Sequence, residues 1–567
     1  MHYRLATCLA AGVLTLSAAS FGQTQASADA FSWHRGPHTA TPIKHLVVIF
    51  QENVSFDHYF GTYPYAANGA GEPAFYPRPF TPDVNGLTQA LLNHNPNQAN
   101  SANGSGAINP FRLSRAQAAT ADQDHDYAAE QQAFNGGAMD LFPKFTGSGE
   151  TLPGAPADEN GTGQVMGYYD GNTVTAMWNY AQTFALNDNS YGTTFGPSTP
   201  GAINLISGQT NGISATLNGT AAAVDDGAGG LTLVSDADPI DDVCSSPSGN
   251  QVQLSGRNIG DLLNDQHLTW GFFEGGFDLT AVNSNGSTGC KRKSTSAITK
   301  VAKADYIPHH QPFQYYASTA NPTHARPSAV AMIGRTDAAN HQYDLNDFYD
   351  AVSAGHMPAV SFLKAPGYQD GHAGYSDPLD EQQFIVHVMN FLQHQPEWRD
   401  TAVVIAYDDS DGWYDHQAAP RINASSSSED ALDGANTCNG NGVLPGVAPG
   451  NQHAQGRCGY GPRLPLLVIS PWARSNVVDH TLTDQSSVTR FIEDNWLQGQ
   501  RIGGGSFDAV AGSLEHMFDF RRPLIFDRRL ILDEQTGQPK HPWYWPWWQG
   551  DASVGGWGGN EHHDKAG

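Results

Sequence analysis

Two apolar runs that end in acidic and amide residues constrain the fold of this chain most strongly. The run LVVIF is followed by QEN, which contains Glu52 and Asn53, and the run TAVVIAY is followed by Asp408 and Asp409. Continuous apolar runs of this length are typical of strands buried on both faces of a parallel sheet. Parallel strands end at one shared edge, which is where open α/β proteins bind ligands. We therefore expect these four side chains to meet there, although a turn that only solvates them explains each run equally well.

Strands alternate with helices along most of the chain. Three further apolar runs predict strands, namely LTWGFFEG from Leu268, PAVSFLKA from Pro358 and RLPLLVIS from Arg463. Four runs have helical spacing, namely IGDLLNDQ, DLNDFYDAVSAG, LDEQQFIVHVMNFLQHQPEW and QSSVTRFIEDNW. A polar helix is also predicted from about Ser114 to Phe134. This alternation predicts an α/β fold, in which helices cover both faces of a mostly parallel central sheet.

Composition limits the ligands that this chain can bind. It has 567 residues, of which 39% are hydrophobic, so it can bury a large core. It carries 56 Asp and Glu residues against 29 Lys and Arg residues, which gives a formal net charge of -27. This charge opposes binding to nucleic acid and to anionic membrane surfaces. A substrate that carries phosphate therefore needs a metal ion or a local basic pocket.

The N-terminal 28 residues predict a signal peptide. Arg4 precedes an apolar stretch from Leu5 to Leu16, and residues 26–28 have the small-x-small form of a cleavage site. The apolar stretch is too short to cross a bilayer, which takes about 20 residues. We therefore expect an exported protein, periplasmic or extracellular, that does not insert stably into a membrane.

Four cysteines follow this leader, and an even number in an exported protein predicts two disulfides. We expect the pairs Cys244–Cys290 and Cys438–Cys458. These cysteines lie in polar, Gly-rich and Ser-rich insertions at about residues 211–257, with 280–298, and residues 421–461. The disulfides would fix these insertions on the surface.

The rest of the chain is assigned to one catalytic domain over residues 29–535. Near its end the run FRRPLIFDRRLILD predicts strands at an edge, which would make a small β-rich segment. Residues 536–567 form an aromatic-rich tail that contains HPWYWPWWQG. Packing against the domain is its expected role, and lining a site or touching lipid are the alternatives.

Four oxygen donors gathered at one sheet edge predict a metal site. Carboxylates this close repel one another unless a divalent cation neutralises them. An EF-hand fits poorly, because Tyr407 stands where its loop needs an acid and no Glu follows Gly412 at the required spacing. Paired acids also serve glycoside hydrolysis, but that chemistry leaves Asn53 and the histidines of the motifs below unexplained.

A candidate nucleophile lies in the run TTFGPSTPGAINLISGQT. A turn at Gly196 and Pro197 leads to Ser198, and Pro200 suits the first turn of a helix that begins at Gly201 or the next residue. Taken alone, Ser198 is better explained as an ordinary N-cap of that helix. The same place is also an anion site, because free backbone N–H groups and the helix dipole would hold a phosphate against the hydroxyl.

Five motifs in order along the chain resemble those of a known family. They are KHLVVIFQENVSFDHYFGTYP, FGPSTPGAINLISGQT, HHQPFQYY, QDGHAGYSDPLDEQ and YDDSDGWYDH, and they span residues 43–416. The chain resembles the bacterial phosphoesterase family that contains AcpA-type acid phosphatases and the phospholipases C. This resemblance implies a fold similar to that of alkaline phosphatase and the sulfatases.

The resemblance also implies a role for each residue of the site. Glu52 with Asn53 and Asp408 with Asp409 match two pairs of metal ligands, and Ser198 matches the nucleophile, which also touches the metal. The remaining matches lie beside the phosphate, and they are His125 and Asp126 as a pair in DQDHDY, and His309, His310 and His372. The implied cofactor is one divalent metal ion. Oxygen ligands favour Ca²⁺, Mg²⁺ or Mn²⁺, and added imidazoles admit Zn²⁺ or Fe.

The motif around Ser198 favours one branch of this family. Ser198 followed by TPGA resembles the acid phosphatases, whereas the phospholipases C carry Thr followed by FPNR, and the chain ends soon after its catalytic core. We therefore expect an acid phosphatase that hydrolyses small phosphate monoesters through a phosphoserine. One alternative is a phospholipase C that cleaves phosphatidylcholine, whose head group the aromatic tail could bind by cation–π contact. The other is an exported protein that binds metal or phosphate without turnover.

Overall fold

A sheet of eight strands forms the centre of the protein. The computed structural model describes residues 38–155, 161–440, 444, 455–521 and 528–540. In chain order, the strands of the central sheet are β1 (His45–Gln51), β2 (Ala185–Asn187), β3 (Trp270–Glu274), β4 (Gln342–Asp344), β5 (Val360–Lys364), β6 (Thr401–Tyr407), β7 (Leu466–Ile469) and β8 (Val477–Asp479). Across the sheet they lie in the order β4-β3-β5-β1-β6-β7-β2-β8.

The sheet is mostly parallel, as predicted. Strand β7 runs antiparallel to its neighbours β6 and β2, and every other neighbouring pair is parallel. The register between β1 and β6 places Gln51 opposite Tyr407. The chain therefore leaves both strands at the same level, so the residues that follow them are neighbours at one edge of the sheet, here called the carboxyl edge.

Eleven α-helices accompany the sheet in the described part of the chain. They are α1 (Phe56–Phe60), α2 (Gln89–Asn93), α3 (Pro96–Ala99), α4 (Tyr127–Phe134), α5 (Phe142–Phe145), α6 (Thr175–Thr183), α7 (Ser198–Ser207), α8 (Ile259–Asp265), α9 (Leu345–Ser353), α10 (Pro378–His394) and α11 (Ser486–Trp496). Helices α8 to α11 are the four that helical spacing predicted. Two residues fix the start of helix α10, because the Asp377 side chain caps it and Pro378 occupies its first position.

The predicted polar helix over residues 114–134 is wrong for most of its length. A single 3₁₀ turn occupies Arg115–Gln117, and α4 covers only the C-terminal part. Side chains from elsewhere bind the backbone in between, and one of them is Asp411, which accepts the Gln123 N–H at 3.4 Å. These tertiary contacts take the place of helical hydrogen bonds and bring the segment to the carboxyl edge.

The two central strands are buried on both faces. Every residue of β6 is buried, and so is every residue of β1 after His45. Helix α7 packs against α8 and α11, and α6 packs against α10. One contiguous core joins the strands to these helices, with Val48, Ile405 and Trp178 among its members. Because burial of apolar surface drives this packing, the strand ends at the carboxyl edge are firmly anchored.

Two disulfides fix the insertions in the predicted pairs, Cys244–Cys290 and Cys438–Cys458. The first insertion contributes a separate three-stranded sheet, and the described residues also form four two-stranded sheets. The strands of these small sheets are Ile213–Leu217 with Gln251–Leu254 and Asp238–Pro239, Lys293–Thr295 with Ala302–Ala304, Ser190–Tyr191 with Thr483–Asp484, Phe111–Arg112 with Gly167–Tyr168, and Ala223–Asp225 with Leu231–Leu233.

The predicted β-rich segment near the C-terminus is wrong for the residues that the structure describes. Over residues 528–540 the pairing is limited to one bridge, between Leu532 and Pro539. The rest of that run, the aromatic stretch and the N-terminal leader lie outside the described residues, so those predictions stay predictions. In the described ranges, no helix combines the length and the apolar character that a bilayer span requires.

Helix α7 begins at Ser198, three residues before the predicted start. Pro200 is tolerated in its first turn, because the N–H group that proline lacks has no partner within the helix there. Gly201 lets the helix approach the end of β6 closely, since a Cβ atom at this position would lie 2.1 Å from the carbonyl oxygen of Asp408. The start of α7 and the end of β6 therefore touch through backbone atoms.

We predict that Gly201→Ala disturbs this contact. The added methyl group would overlap the Asp408 carbonyl oxygen, and overpacking of this kind costs about 1 to 3 kcal/mol. The variant should unfold at a lower urea concentration than the wild-type protein, as measured by circular dichroism. An unchanged unfolding midpoint would show that the helix and the strand are not in close contact.

Candidate active site

The two acidic pairs meet at the carboxyl edge, as the register of β1 and β6 requires. Glu52 and Asn53 follow β1, Asp408 and Asp409 follow β6, and all four side chains are at most 2% exposed. The Asp408 carboxylate accepts hydrogen bonds from the backbone N–H groups of Asn53, at 3.1 Å, and Asp409, at 2.8 Å. Asn53 has a φ of 54°, in the left-handed region that asparagine tolerates better than most residues.

The Ser198 hydroxyl completes this cluster. It donates towards two carboxylates, with Glu52 Oε2 at 3.0 Å and Asp409 Oδ2 at 3.2 Å. The interpretation of Ser198 as an ordinary N-cap is wrong, because Pro197 holds the N-cap position and Ser198 is the first residue of α7. The positive end of the α7 dipole therefore lies beside a hydroxyl that faces carboxylates, and the next residue, Thr199, donates its N–H to Asp236 Oδ1 at 2.9 Å.

The cluster fits a divalent cation. Asn53 Oδ1 and Asp408 Oδ2 are buried and have no hydrogen-bond partner among the described residues. Burial raises the pKa of Asp408 well above its usual value and that of Asp409 to about 7, and the Glu52 carboxylate adds to both shifts. Crowded carboxylates with unpaired oxygen atoms are the donor set that a hard cation takes, and a bound cation would remove the cost of burying them.

Lys364 is a functional residue that the sequence prediction missed. It is the last residue of β5, and its buried ammonium forms an ion pair with Glu52 Oε1 and lies 3.6 Å from Asp408 Oδ2. Burial raises the pKa of Glu52, but His310 and Lys364 outweigh burial and lower that pKa well below its usual value. The run PAVSFLKA contains this lysine at its strand end. Glu52 was predicted because it follows an apolar strand run, and the same criterion applies to Lys364.

His125 faces the cluster from the segment before α4. Its Nε2 atom lies 3.4 Å from Asn53 Nδ2, and its Nδ1 atom lies 3.4 Å from Asp411 Oδ1 and 3.6 Å from Asp122 Oδ1. Burial lowers the pKa of His125, but the carboxylates of Asp409, Asp411 and Asp122 outweigh burial and raise the pKa well above its usual value. A positively charged imidazole therefore stands beside the cluster.

The structure pairs His125 with acids other than Asp126. Asp126 is exposed at the N-cap of α4, and the ion pairs of His125 within the described residues go to Asp411 and Asp122. Asp411 belongs to the loop that follows β6. Neighbours in sequence are here not neighbours in space.

The adjacent histidines His309 and His310 diverge. The His310 Nδ1 atom lies 3.4 Å from Glu52 Oε1, whereas the His309 Nδ1 atom lies 3.6 Å from Asp238 Oδ1. Their rings stand at 85° to each other. Burial lowers the pKa of His310. Burial also lowers the pKa of His309, but the carboxylates of Asp236 and Asp238 together outweigh it and raise that pKa. His310 therefore adjoins the cluster, and His309 lies among acids to one side of it.

His372 lies on the side of the cluster that His125 occupies. The centroids of these two rings are 5.9 Å apart. Together with Asp122 and Asp411 they form a second group of metal-ligand types, whose donor atoms lie within 4.8 Å of one another. Asp122 is partly exposed, however, whereas the cluster around Ser198 is buried throughout.

Glu130, on α4, joins the segments of the site and was also missed. Its Oε2 atom accepts the Gly196 N–H at 3.1 Å, and its Oε1 atom accepts the Ser410 hydroxyl at 2.6 Å. Burial raises the pKa of Glu130 to about 8, and the charge of Asp409 adds to this shift. One buried side chain thus fixes the nucleophile turn relative to the loop after β6. Nothing in the helical run YAAEQQAF distinguishes this glutamate from an exposed one.

A comparison with protein families agrees with this geometry. Residues 43–497 match the model of the phosphoesterase family. The chain belongs to the phosphoesterase family. The match includes every residue of the cluster, so the resemblance inferred from the five motifs is confirmed. The reaction class that the family name gives is the hydrolysis of phosphate esters.

Known proteins similar to this phosphoesterase carry phospholipase C names. The non-hemolytic phospholipase C of Pseudomonas aeruginosa is 24% identical over 527 residues, which are 91% of this chain and 63% of that protein. Phospholipase C A of Mycobacterium tuberculosis is 24% identical over 502 residues, which are 86% of this chain and 79% of that protein. Non-specific phospholipase C6 of Arabidopsis thaliana is 29% identical over 147 residues, 24% of each chain. The phosphoesterase thus spans less than two thirds of the Pseudomonas protein.

We predict that Glu130→Ala lowers the kcat of this phosphoesterase by about tenfold or more. The substitution leaves a buried N–H group and a buried hydroxyl without their acceptor, which costs about 1 to 3 kcal/mol for each group and loosens the nucleophile turn. Glu130→Gln keeps one acceptor oxygen and should retain more activity. Gln132→Ala, two residues away on the same helix, is the control. Equal activity of all three variants would rule out a positioning role for Glu130.

Proposed function

We propose that this phosphoesterase is an exported, metal-dependent acid phosphatase that hydrolyses phosphate monoesters through a phosphoserine on Ser198. The observation that carries the proposal is the Ser198 hydroxyl, which lies between the carboxylates of Glu52 and Asp409 at the start of α7. A serine in such a place has acceptors for its proton and the positive end of a helix dipole beside it. The family match supports the reaction class.

Glu52, Asn53, Asp408 and Asp409 would hold one divalent cation together with Ser198. Their oxygen atoms favour Ca²⁺, Mg²⁺ or Mn²⁺, and the neighbouring imidazoles admit Zn²⁺ or Fe. When bound, the ion supplies positive charge that makes the Ser198 hydroxyl more acidic and neutralises the phosphate. Lys364 already neutralises one of the carboxylates, which favours a single ion at this cluster.

The residues of the chain account for both halves of a double displacement. Ser198 passes its proton to the Asp409 carboxylate, and its Oγ bonds to phosphorus while the bond from phosphorus to the ester oxygen breaks, which leaves a phosphoserine and an alkoxide. The alkoxide takes a proton from His125, whose imidazolium stands beside the cluster with His372 next to it. Water then gives a proton to His125 as it attacks the phosphoserine from the vacated side, and Ser198 takes its proton back from Asp409 as phosphate leaves. His310 and His309 would help to orient the substrate from the other side.

A phospholipase C is the second candidate, because the relatives carry that name. The acid phosphatase is preferred because Ser198 and the TPGA that follows it resemble the acid phosphatase branch. Measurement of kcat/KM on p-nitrophenyl phosphate and on phosphatidylcholine distinguishes the two functions. A preference for the lipid above about tenfold, or ~1.4 kcal/mol of transition-state free energy, would favour the phospholipase.

We predict that Ser198→Ala abolishes hydrolysis of p-nitrophenyl phosphate while the protein stays folded. The substitution removes the attacking oxygen and little else, since Ser198 is buried and small. Ser214→Ala, on an exposed strand of the first insertion, is the control and should keep full activity. Turnover by the Ser198→Ala variant would exclude the phosphoserine route, and a wild-type protein that binds phosphate without turnover would support the non-catalytic alternative.

We predict that a divalent cation raises the thermal unfolding midpoint of the chelator-treated protein. The ion binds only the folded cluster and removes repulsion among its carboxylates, and at 100 times its Kd it stabilises the fold by about 2.7 kcal/mol. Calorimetry with Ca²⁺, Mg²⁺, Mn²⁺, Zn²⁺ and Fe²⁺ in turn measures the shift. Asp409→Ala should lose most of it. A shift that survives in this variant would place the ion elsewhere.

A further inference from the structure

Lys303 lies beside Tyr375, next to the cluster around Ser198, and belongs to none of the five motifs. It is the middle residue of the strand Ala302–Ala304, and its ammonium sits 3.7 Å from the centroid of the Tyr375 ring. The Tyr375 ring stacks on the His372 ring, with centroids 4.4 Å apart and planes at 25°. A continuous stack thus leads from the Lys303 ammonium to a histidine of the catalytic cluster.

Within the described ranges, the Lys303 ammonium makes no hydrogen bond or ion pair, and it faces the Tyr375 ring. Basic side chains nearby differ in this respect, because Lys364 is paired with Glu52 and Arg292 with Asp344. A half-buried cation that an aromatic face holds in place, with its donors free, can receive an anion from outside.

The charge of Lys303 affects the pKa of two histidines that lie on different sides of the cluster. It lowers the pKa of His310 and of His372, in addition to the effect of their burial. Burial lowers the pKa of Lys303 itself, and the carboxylates of Asp370 and Glu52 oppose that shift. The ammonium is therefore close enough to act electrostatically on residues that surround Ser198.

We propose that the Lys303 ammonium binds a non-bridging oxygen of the substrate phosphate and thereby selects the dianion of a phosphate monoester over the monoanion of a diester. This inference rests on the proposed function and assigns a residue to its substrate class. A diester has one negative charge fewer and carries a second organic group where the monoester offers a free oxygen. A positive charge beside the cluster, in a chain whose net charge is -27, supplies the local attraction that a dianion needs.

The test compares two substrates that release the same leaving group, p-nitrophenyl phosphate and bis(p-nitrophenyl) phosphate. Both are assayed at a pH of about 7.5, above the second phosphate pKa of about 6. Lys303→Met keeps an unbranched side chain of similar size and removes the charge that faces Tyr375. We expect it to lower the ratio of kcat/KM for the monoester to that for the diester by about tenfold or more. Lys303→Arg keeps the charge and should retain most of the ratio.

The matched control is Lys293→Met. Lys293 lies on the paired strand Lys293–Thr295, where it is opposite Ala304, so it points to the other face of the same ribbon from Lys303. It is exposed and should leave the ratio unchanged. Binding of inorganic phosphate, measured by titration calorimetry, is the second readout, and Lys303→Met should raise its Kd by about the same factor as it lowers the ratio.

The outcomes separate this inference from the proposed function. An equal loss on both substrates, an unchanged ratio, or the same loss in Lys293→Met would overturn the role of Lys303 while leaving the phosphatase proposal in place. A wild-type protein that hydrolyses neither substrate would overturn the phosphatase proposal. In that case phosphate affinity still decides the Lys303 contact, because an unchanged Kd in Lys303→Met would refute it.

Discussion

Repulsion between carboxylates at the ends of β1 and β6 is the constraint on which the rest of the site depends. The parallel register brings Glu52 and Asp408 to one level, and the core beneath them holds them there. The chain offsets this repulsion with the buried cation of Lys364 and with the hydroxyl of Ser198. Oxygen atoms that remain unpaired mark the place where a divalent ion would complete the neutralisation.

Contacts from outside the strand ends set the position of the nucleophile. Glu130 bonds the turn before Ser198 to the loop after β6, and Gly201 lets α7 touch that loop through backbone atoms. His125 is held in a similar way by Asp411, a residue of the same loop. The reacting groups thus come from segments that are distant in sequence, and several buried contacts together hold them in one arrangement. None of these supporting residues needs to touch the substrate in order to affect the rate.

Much of this arrangement could be predicted from the sequence, because apolar runs mark buried strands and the residues that end them mark the site. The sheet and the clustering of Glu52 with Asp409 follow from such local patterns. Glu130 could not be found, because a glutamate within a helix gives no sign of burial. The resemblance pairs His125 with Asp126, whereas the fold brings His125 to Asp411, which lies far away in sequence. The irregular segment before α4 is fixed by tertiary hydrogen bonds, which no local pattern reveals.

The proposed function requires that the ends of β1 and β6 hold a cation against Ser198. Anomalous X-ray scattering from crystals of the Mn²⁺-loaded protein would locate this cation. We expect one strong peak within coordination distance of the cluster formed by Glu52, Asn53, Asp408, Asp409 and the Ser198 hydroxyl. A peak at the neighbouring group of Asp122, His125, His372 and Asp411 instead, or none at either place, would contradict it.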